Sequence, residues 1–475
     1  MIVEMVSELK AFFHPESVAV VGASKTPGKA GHTVIANMLR MRYEGRIYPI
    51  NPNADQVLGF KAYRTLKEIP GKVELAVIVV PAQVVVDVMR DCAEKGIRAA
   101  VIGSGGFSEV NERGAKLQNE IVKISGEAGI KVVGPNTSGI ISTPGNFTTT
   151  FFPQEKVRRG YASYVAQTGN FATHTMRWIT TAEYFGVSRV IGLGNKCDVD
   201  DADAIEYLAD DPETKVIAMY IEGLKNARKF LEVARKVTKR KPIIALKSGR
   251  TAAGAQAAMS HTASLAGNDV VVDAALRQAG VIRATKYMDL VNFTKAFCLQ
   301  PLPKGNRVAL VMPSGAMGVI TADACESLGL KVAKLSKSTL QRLTDISPRW
   351  IRMSNPVDIW AAAQIQGVEK AYKLGMEALL EDQNVDAVIA TLMLVEGYST
   401  MDLKFIPEIN KYIDKPILIT VTGDKQLYEV AKRELETRGV PVYLPLEPAC
   451  EALAAMANYT RYRSRGCNSQ SHRSL

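Results

Sequence analysis

Near-continuous runs of β-branched residues that stop at glycine, each followed by an amphipathic stretch, predict an α/β protein built on parallel, doubly wound sheets. Two further observations set its scale. A chain of 475 residues holds roughly three domains at about 150 residues each. The last two of these also read as divergent copies of one another.

The elements follow in order. Residues 17–22 (SVAVVG) form an apolar run closed by glycine, and a helix-like stretch from about Gly31 to Met41 comes next. The alternation continues through strands at 46–50 (RIYPI), 75–81 (LAVIVVP), 98–103 (RAAVIG) and 131–134 (KVVG), with amphipathic segments at 84–95 and 110–128 between them. Five such strands predict a parallel sheet covered on both faces, a Rossmann-like domain over 1–145 that ends at Pro144-Gly145.

A second run begins at 161–170 (YASYVAQTGN) and continues through 187–194, 215–223 and 241–249. A third begins at 307–316 (RVALVMPSGA) and includes 385–397, 415–423 and 440–448. Thr168-Gly169 matches Ser314-Gly315, Asn195-Lys196-Cys197-Asp198 matches Asn355-Pro356-Val357-Asp358, and Ile221-Glu222-Gly223 matches Val395-Glu396-Gly397. The offsets grow from 146 through 160 to 174, as expected when loops change length and strands do not. Two flavodoxin-like domains, 146–300 and 301–459, are expected, divided at Pro301-Leu302-Pro303-Lys304-Gly305. An Arg- and Ser-rich tail over 460–475, without apolar periodicity, is expected to be disordered.

Composition narrows the function classes. Hydrophobic residues at 47% and charged residues at 23% suit packed cores and exclude global disorder. No window approaches the ~18 consecutive apolar residues of a membrane span, and Glu4 and Glu8 interrupt any signal-like start. A soluble, cytoplasmic protein is expected. Six scattered cysteines without a CxxC pair, and five histidines, argue against a disulfide framework and a zinc site, so no metal ligands are assigned. Of the net charge of +11, four charges are arginines of the tail. The thin remainder suits a phosphorylated small molecule, and no nucleic-acid recognition motif is present.

Three places could carry chemistry. The first is the carboxyl edge of the first sheet. There the turn Gly22-Ala23-Ser24 with Lys29 can bring backbone N–H groups and charge to a phosphate. Asn51-Pro52 stands where an NAD enzyme would place an acid for the ribose, so NAD is disfavoured. Val80-Pro81-Ala82, Ser104-Gly105-Gly106-Phe107-Ser108-Glu109 and Gly134-Pro135-Asn136-Thr137-Ser138-Gly139 reach the same edge. The second place is the pair of strand-to-helix turns Gln167-Thr168-Gly169-Asn170 and Pro313-Ser314-Gly315-Ala316, each either a plain N-cap or an anion site. The third is His261 in the small-residue stretch 252–267, with Glu222 at a neighbouring strand end as its candidate partner.

These residues carry a resemblance. The stretch Ser260-His261-Thr262-Ala263-Ser264-Leu265-Ala266-Gly267 is its most specific piece. Val21-Gly22-Ala23-Ser24, Tyr48-Pro49-Ile50-Asn51-Pro52-Asn53, Gly194-Asn195-Lys196 and Asn355-Pro356-Val357-Asp358 support it. Over about residues 8–460 the chain resembles the α subunit of ADP-forming acyl-CoA synthetases (acetate–CoA ligase, ADP-forming), of the superfamily that includes succinyl-CoA synthetase.

The resemblance implies a CoA-binding domain over 1–145 and two succinyl-CoA-synthetase-like domains after it. It implies that His261 is transiently phosphorylated, that Glu222 orients it, and that the two turns cradle phosphate. The implied reaction converts acyl-CoA, ADP and phosphate reversibly to acid, CoA and ATP through an acyl phosphate and a phosphohistidine. The ATP-grasp domains that bind ADP/ATP and Mg²⁺ in this family have no visible counterpart, so a separate β subunit and an α2β2 heterotetramer are implied. Two departures stand out. The family's Gly-Pro-Asn-Cys reads Gly134-Pro135-Asn136-Thr137, which removes any thiol role, and its Ser-Gln-Ser-Gly reads Ala166-Gln167-Thr168-Gly169, which keeps a hydroxyl. Alternatives are the same mechanism on a branched-chain or aromatic acyl-CoA, and a non-enzymatic CoA-binding module.

Overall fold

The computed structural model describes residues 9–154, 156–169, 171–262, 268–411 and 414–471; the side chains of 258–262 and 466–471 lie outside that description. The described chain divides into two compact units, Met1–Ala182 with Gly186–Thr285, and Glu183–Phe185 with Lys286–Leu475. No helix among the described residues is long and apolar enough to cross a membrane.

In the first unit the apolar runs become β1 (Ser17–Val21), β2 (Arg46–Ile50), β3 (Leu75–Ile78), β4 (Ala99–Ile102) and β5 (Lys131–Val133). They form a parallel sheet in the order β2-β1-β3-β4-β5. Every residue of β1, β3 and β4 is buried, which is why these strands read as unbroken apolar runs. Helices α1 (Ala30–Arg40), α2 (Ala82–Lys95) and α3 (Glu112–Ala128) are the crossovers. The left-handed glycines Gly96 and Gly129 end α2 and α3, and the Asn111 side chain caps the start of α3.

The second sheet contains β6 (Ile140–Ser142), β7 (Phe147–Thr148), β8 (Arg159–Ala166), β9 (Val187–Gly192), β10 (Val216–Ile221), β11 (Ile243–Lys247) and β12 (Ile282–Ala284), in the order β12-β11-β10-β8-β9-β6-β7. Its five parallel strands repeat the order of the first sheet. The hairpin β6–β7 is added antiparallel to β9. Pro144-Gly145, the expected end of the first domain, is thus the tip of a hairpin belonging to the second sheet. Between the strands lie α4 (Met176–Ala182), α5 (Asp201–Asp210), α6 (Ala227–Val237), α7 (Ala252–Thr262) and α8 (Asp269–Gln278). A single π turn, Phe171–Thr175, precedes α4.

The second unit carries the third sheet: β13 (Arg307–Met312), β14 (Lys331–Val332), β15 (Val357–Asp358), β16 (Ala387–Leu394), β17 (Ile417–Gly423) and β18 (Val442–Tyr443). Its order is β14-β13-β16-β17-β18, with β15 also paired to β13. Helix α9 (Tyr287–Leu299) precedes it, and α10 (Gly315–Ser327) follows β13. Lys295 of α9 is buried between Glu183 and Glu436, and Lys432 closes the cluster on Glu183. The last helix, α11 (Glu447–Ser471), corrects the expectation of a disordered tail from residue 460. Its first half is anchored by buried Cys450, Leu453, Met456 and Tyr459. Once that part is formed, each further turn needs no new nucleus.

Candidate functional site

At the carboxyl edge of the first sheet, Gly22 (φ +91°) leaves β1 where a Cβ would lie 2.6 Å from the Val79 carbonyl oxygen. Only glycine fits. The Asn51 Nδ2 donates to the Ala23 carbonyl at 2.7 Å, and its Oδ1 accepts from the Asn53 N–H at 2.8 Å. Asn51 therefore shapes the turn that holds Ala23 and Ser24. Lys29 stands at the N-cap of α1 and Pro81 at that of α2. The Ser104 hydroxyl donates to the Val80 carbonyl. Gly22 to Ser24, Asn51-Pro52, Val80-Pro81 and Ser104 to Gly106 all reach one edge, at the β1/β3 switch point where ligands of such sheets bind. Phe107 differs: its ring is fully buried and its N–H is taken by Glu109, so it serves the core.

Between this edge and that of the second sheet lies a cavity of 530 Å³. Asn136, Thr168, Gly169 and Glu222 line it, as the sequence led one to expect of site residues. Glu109, Gln167 and Asn195, quoted only within longer motifs, line it too, as does His174. Two close approaches build it. Gly194 (φ +58°) sits where a Cβ would be 2.2 Å from the Pro135 carbonyl oxygen, and the Asn195 N–H donates to that same oxygen at 2.9 Å. The Thr137 hydroxyl donates to the Gly192 carbonyl.

The Glu109 carboxylate accepts from the Gly106 N–H at 2.6 Å and from Asn195 Nδ2 at 2.5 Å. Burial pushes this carboxyl up, but the hydrogen bonds from Asn195 and the backbone outweigh it and hold it below its ordinary value. Asn195 also donates to Gln118 at 3.0 Å, so one side chain ties the second sheet's loop to the first sheet's α3. Lys196, left-handed at φ 55°, turns inward. Its Nζ donates to Asp201 at 2.6 Å, the Gly223 carbonyl at 2.7 Å and Gln167 Oε1 at 3.0 Å. Burial raises the Asp201 carboxyl above its ordinary value, against the pull of Lys196. At the next strand end, Lys247 is pushed down by burial and by nearby Arg283. The Cys197 thiol is pushed up to about 12 by burial, which leaves it a packing residue.

The turn Thr168-Gly169 leads into the π turn rather than a regular N-cap, with Ala172 N–H donating to the Thr168 carbonyl at 3.3 Å. Such turns recur at functional sites. Asn170 lies outside the described residues. Ser314 is a true N-cap, accepting from the Met317 N–H at 3.3 Å and leaving Gly315 and Ala316 exposed. The backbone of His261 is in the tenth position of α7, and its side chain lies outside the described residues.

A second cavity of 330 Å³ shares Phe152 and His174 with the first, and Pro153, Val157 and Met176 give it apolar walls. The Phe152 segment is held by Asn37, whose Nδ2 donates to the Phe152 carbonyl at 2.8 Å. Among the described residues no group of three or more His, Cys, Asp or Glu could hold a metal ion.

Residues 16–143 match a CoA binding domain, and residues 159–297 match a succinyl-CoA ligase like flavodoxin domain. The chain is 42% identical over 462 residues to acetate–CoA ligase (ADP-forming) II of Archaeoglobus fulgidus, covering 96% of this chain and 68% of that protein. It is 39% identical over 468 residues to the alpha subunit of acetate–CoA ligase (ADP-forming) II of Pyrococcus furiosus, covering 97% and 100%. Among solved structures, the dinucleotide forming acetyl-coenzyme A synthetase 1 of Ca. Korarchaeum cryptofilum, in complex with phosphate and ADP, superposes with a TM-score of 0.90. It is 33% identical and covers 97% of this chain and 98% of that one.

Proposed function

The chain belongs to the ADP-forming acetate–CoA ligases, a family of acid–thiol ligases, and from that premise we propose that it is the α subunit of such an enzyme, making ATP from acetyl-CoA, ADP and phosphate. The observation that carries the reading is the 530 Å³ cavity, lined by loops from the carboxyl edges of both sheets of the first unit. Gly22 to Ser24, Lys29, Asn51 and the Val80 and Ser104 loops hold CoA and deliver its thioester. The Thr168-Gly169 turn presents phosphate to the thioester carbonyl. Attack by phosphate releases CoA and leaves an acyl phosphate. Phe151 and Phe152 line the wall and limit the access of water that would hydrolyse this intermediate.

His261 then takes the phosphoryl group and frees the acid, with Glu222 fixing the imidazole so that one ring nitrogen is unprotonated for attack. The phosphohistidine passes its phosphoryl group to ADP, with the Ser314-Gly315-Ala316 turn as a second phosphate seat. ADP and Mg²⁺ are held by an ATP-grasp β subunit in an α2β2 assembly, a reading supported by the Pyrococcus furiosus relative, which is itself an alpha subunit. The free cysteines suit a reducing cytoplasm.

The test uses α and β chains together with acetyl-CoA, ADP and phosphate. ATP should form with both chains and not with α alone. ATP should leave acid-labile, base-stable phosphate on wild-type α and none on His261→Ala. ATP formation by His261→Ala would overturn the mechanism. The 330 Å³ cavity favours a second reading, in which a branched-chain or aromatic acyl group is used. A two-carbon acyl group needs little more than the ~30 Å³ of a water molecule or two. A panel of acyl-CoA substrates separates the two readings.

A further inference from the structure

We infer that Gln167 and Lys196 are positioning residues that set where Glu222 stands in the cavity; the inference rests on the role given to Glu222 above. Gln167 Oε1 accepts three hydrogen bonds: from the Glu222 N–H at 3.1 Å, the Gly223 N–H at 3.0 Å and Lys196 Nζ at 3.0 Å. The turn after β10 is therefore pinned at two successive backbone donors by one oxygen from the turn after β8. Lys196 fixes that oxygen in place. Its own position is over-determined, since the ammonium also donates to Asp201 and to the Gly223 carbonyl, and its side chain is only 4% exposed.

The internal repeat supplies a control within the same chain. At the offsets already noted, Gln167 corresponds to Pro313 and Lys196 to Pro356, while Glu222 corresponds to Glu396. Neither proline has a side-chain acceptor or cation. Glu396 is exposed, and its N–H donates instead to Asp424 at 2.8 Å. The glutamate survives in both copies. The clamp is found only where the glutamate is 8% exposed and faces a cavity.

Gln167 takes the third N–H of the Lys196 ammonium, after Asp201 and the Gly223 carbonyl, and the same amide oxygen reaches on to the Glu222 N–H. The amide adds a link from that pair to the Glu222 backbone. Displacing a reacting group by ~1 Å can lower a rate about a hundredfold, so the link acts on turnover.

The α/β enzyme is assayed with variants of α. Gln167→Met keeps the length of the side chain and removes the acceptor. It should lower kcat at least about tenfold while leaving the KM for acyl-CoA within about twofold. Gln167→Glu keeps all three contacts and should restore most of kcat. Lys196→Met with Asp201→Asn removes the pair together, so no buried charge is stranded. Its kcat loss should not add to that of Gln167→Met, because both act through one contact. Wild-type kcat in folded Gln167→Met overturns the inference, as does a loss confined to KM or one that Gln167→Glu does not repair. If Glu222→Gln turns over like wild type, the parent reading fails instead.

Discussion

After β8 the chain turns through Gln167, Thr168 and Gly169; after β13, at the matching place, it turns through Pro313, Ser314 and Gly315. The second and third sheets share a strand order and a glutamate after the middle strand. Their asparagines differ in use. Asn195 reaches across to Glu109 at the cavity. Asn355 instead fills a gap beside β13, donating to the Val308 and Ala333 carbonyls at 2.9 Å and accepting from the Leu310 N–H. One frame thus serves a polar cavity in one copy and backbone satisfaction in the other. The same residue type in the same register does not carry the same role, because its neighbours come from elsewhere in the chain.

That contrast can be broken experimentally, most forcefully at the glutamates. Glu222→Gln should cut ATP formation by the α/β enzyme about a hundredfold or more, and Glu396→Gln should stay within about twofold. Equal losses would erase the distinction.

Next come the buried lysines, one beside the cavity and one in the Glu183–Lys295–Glu436 cluster. Lys196→Met and Lys295→Met each strand a buried carboxylate. Each should lower unfolding stability by about 3–5 kcal/mol in denaturant titrations. Only Lys196→Met should also lower kcat under conditions where both variants remain folded.

Glycines give a smaller difference. Gly194→Ala places a methyl against the Pro135 carbonyl at a left-handed φ and should cost about 3 kcal/mol. At Gly397 (φ +72°) a Cβ meets nothing within 4 Å, so Gly397→Ala should cost only about 1 kcal/mol. Chemical denaturation of the two variants measures the gap.

The smallest effect is one of pH. His14 Nε2 accepts from the buried Arg189 at 2.9 Å, and burial, then Arg189, lower its pKa below the ordinary 6.5. The unfolded chain therefore binds the proton more readily. The stabilisation is complete above 6.5 and is lost as pH falls through the folded-state value. The first unit should melt at lower temperature on acidification below 6.5, and His14→Asn should flatten that dependence. An unchanged slope in His14→Asn would assign the acid sensitivity elsewhere.

Much of this was legible in the sequence. The strands of all three sheets fell close to the expected runs, because strands buried on both faces leave a signal that needs no partner to read. The loops quoted for the first sheet's edge do meet there, with Phe107 turned into the core. What stayed hidden was pairwise. Glu109 sat in a quoted loop, but nothing local announced that Asn195, 86 residues away, would hold it. His174 lies on a π turn at the cavity wall, where nothing in its local sequence marks it. Pro144-Gly145, expected to end the first domain, is the tip of a hairpin paired into the second sheet, and the CoA binding domain match stops beside it at residue 143. Arg189 of β9 and Asp211, just past the end of α5, pair in the interior at 3.4 Å, though their charges alone would place them at the surface.

The sequence by itself determined the alternation of strand and helix, the parallel doubly wound class, the internal repeat and the turns able to receive a phosphate, since each depends on local periodicity and on backbone freedom at glycine. Tertiary structure decided that the Thr168-Gly169 turn lines a cavity, which asparagine bridges and which plugs, and which glutamate is clamped. Those outcomes depend on burial and on hydrogen-bond partners far away along the chain, and these exist only once the sheets have brought their carboxyl edges together.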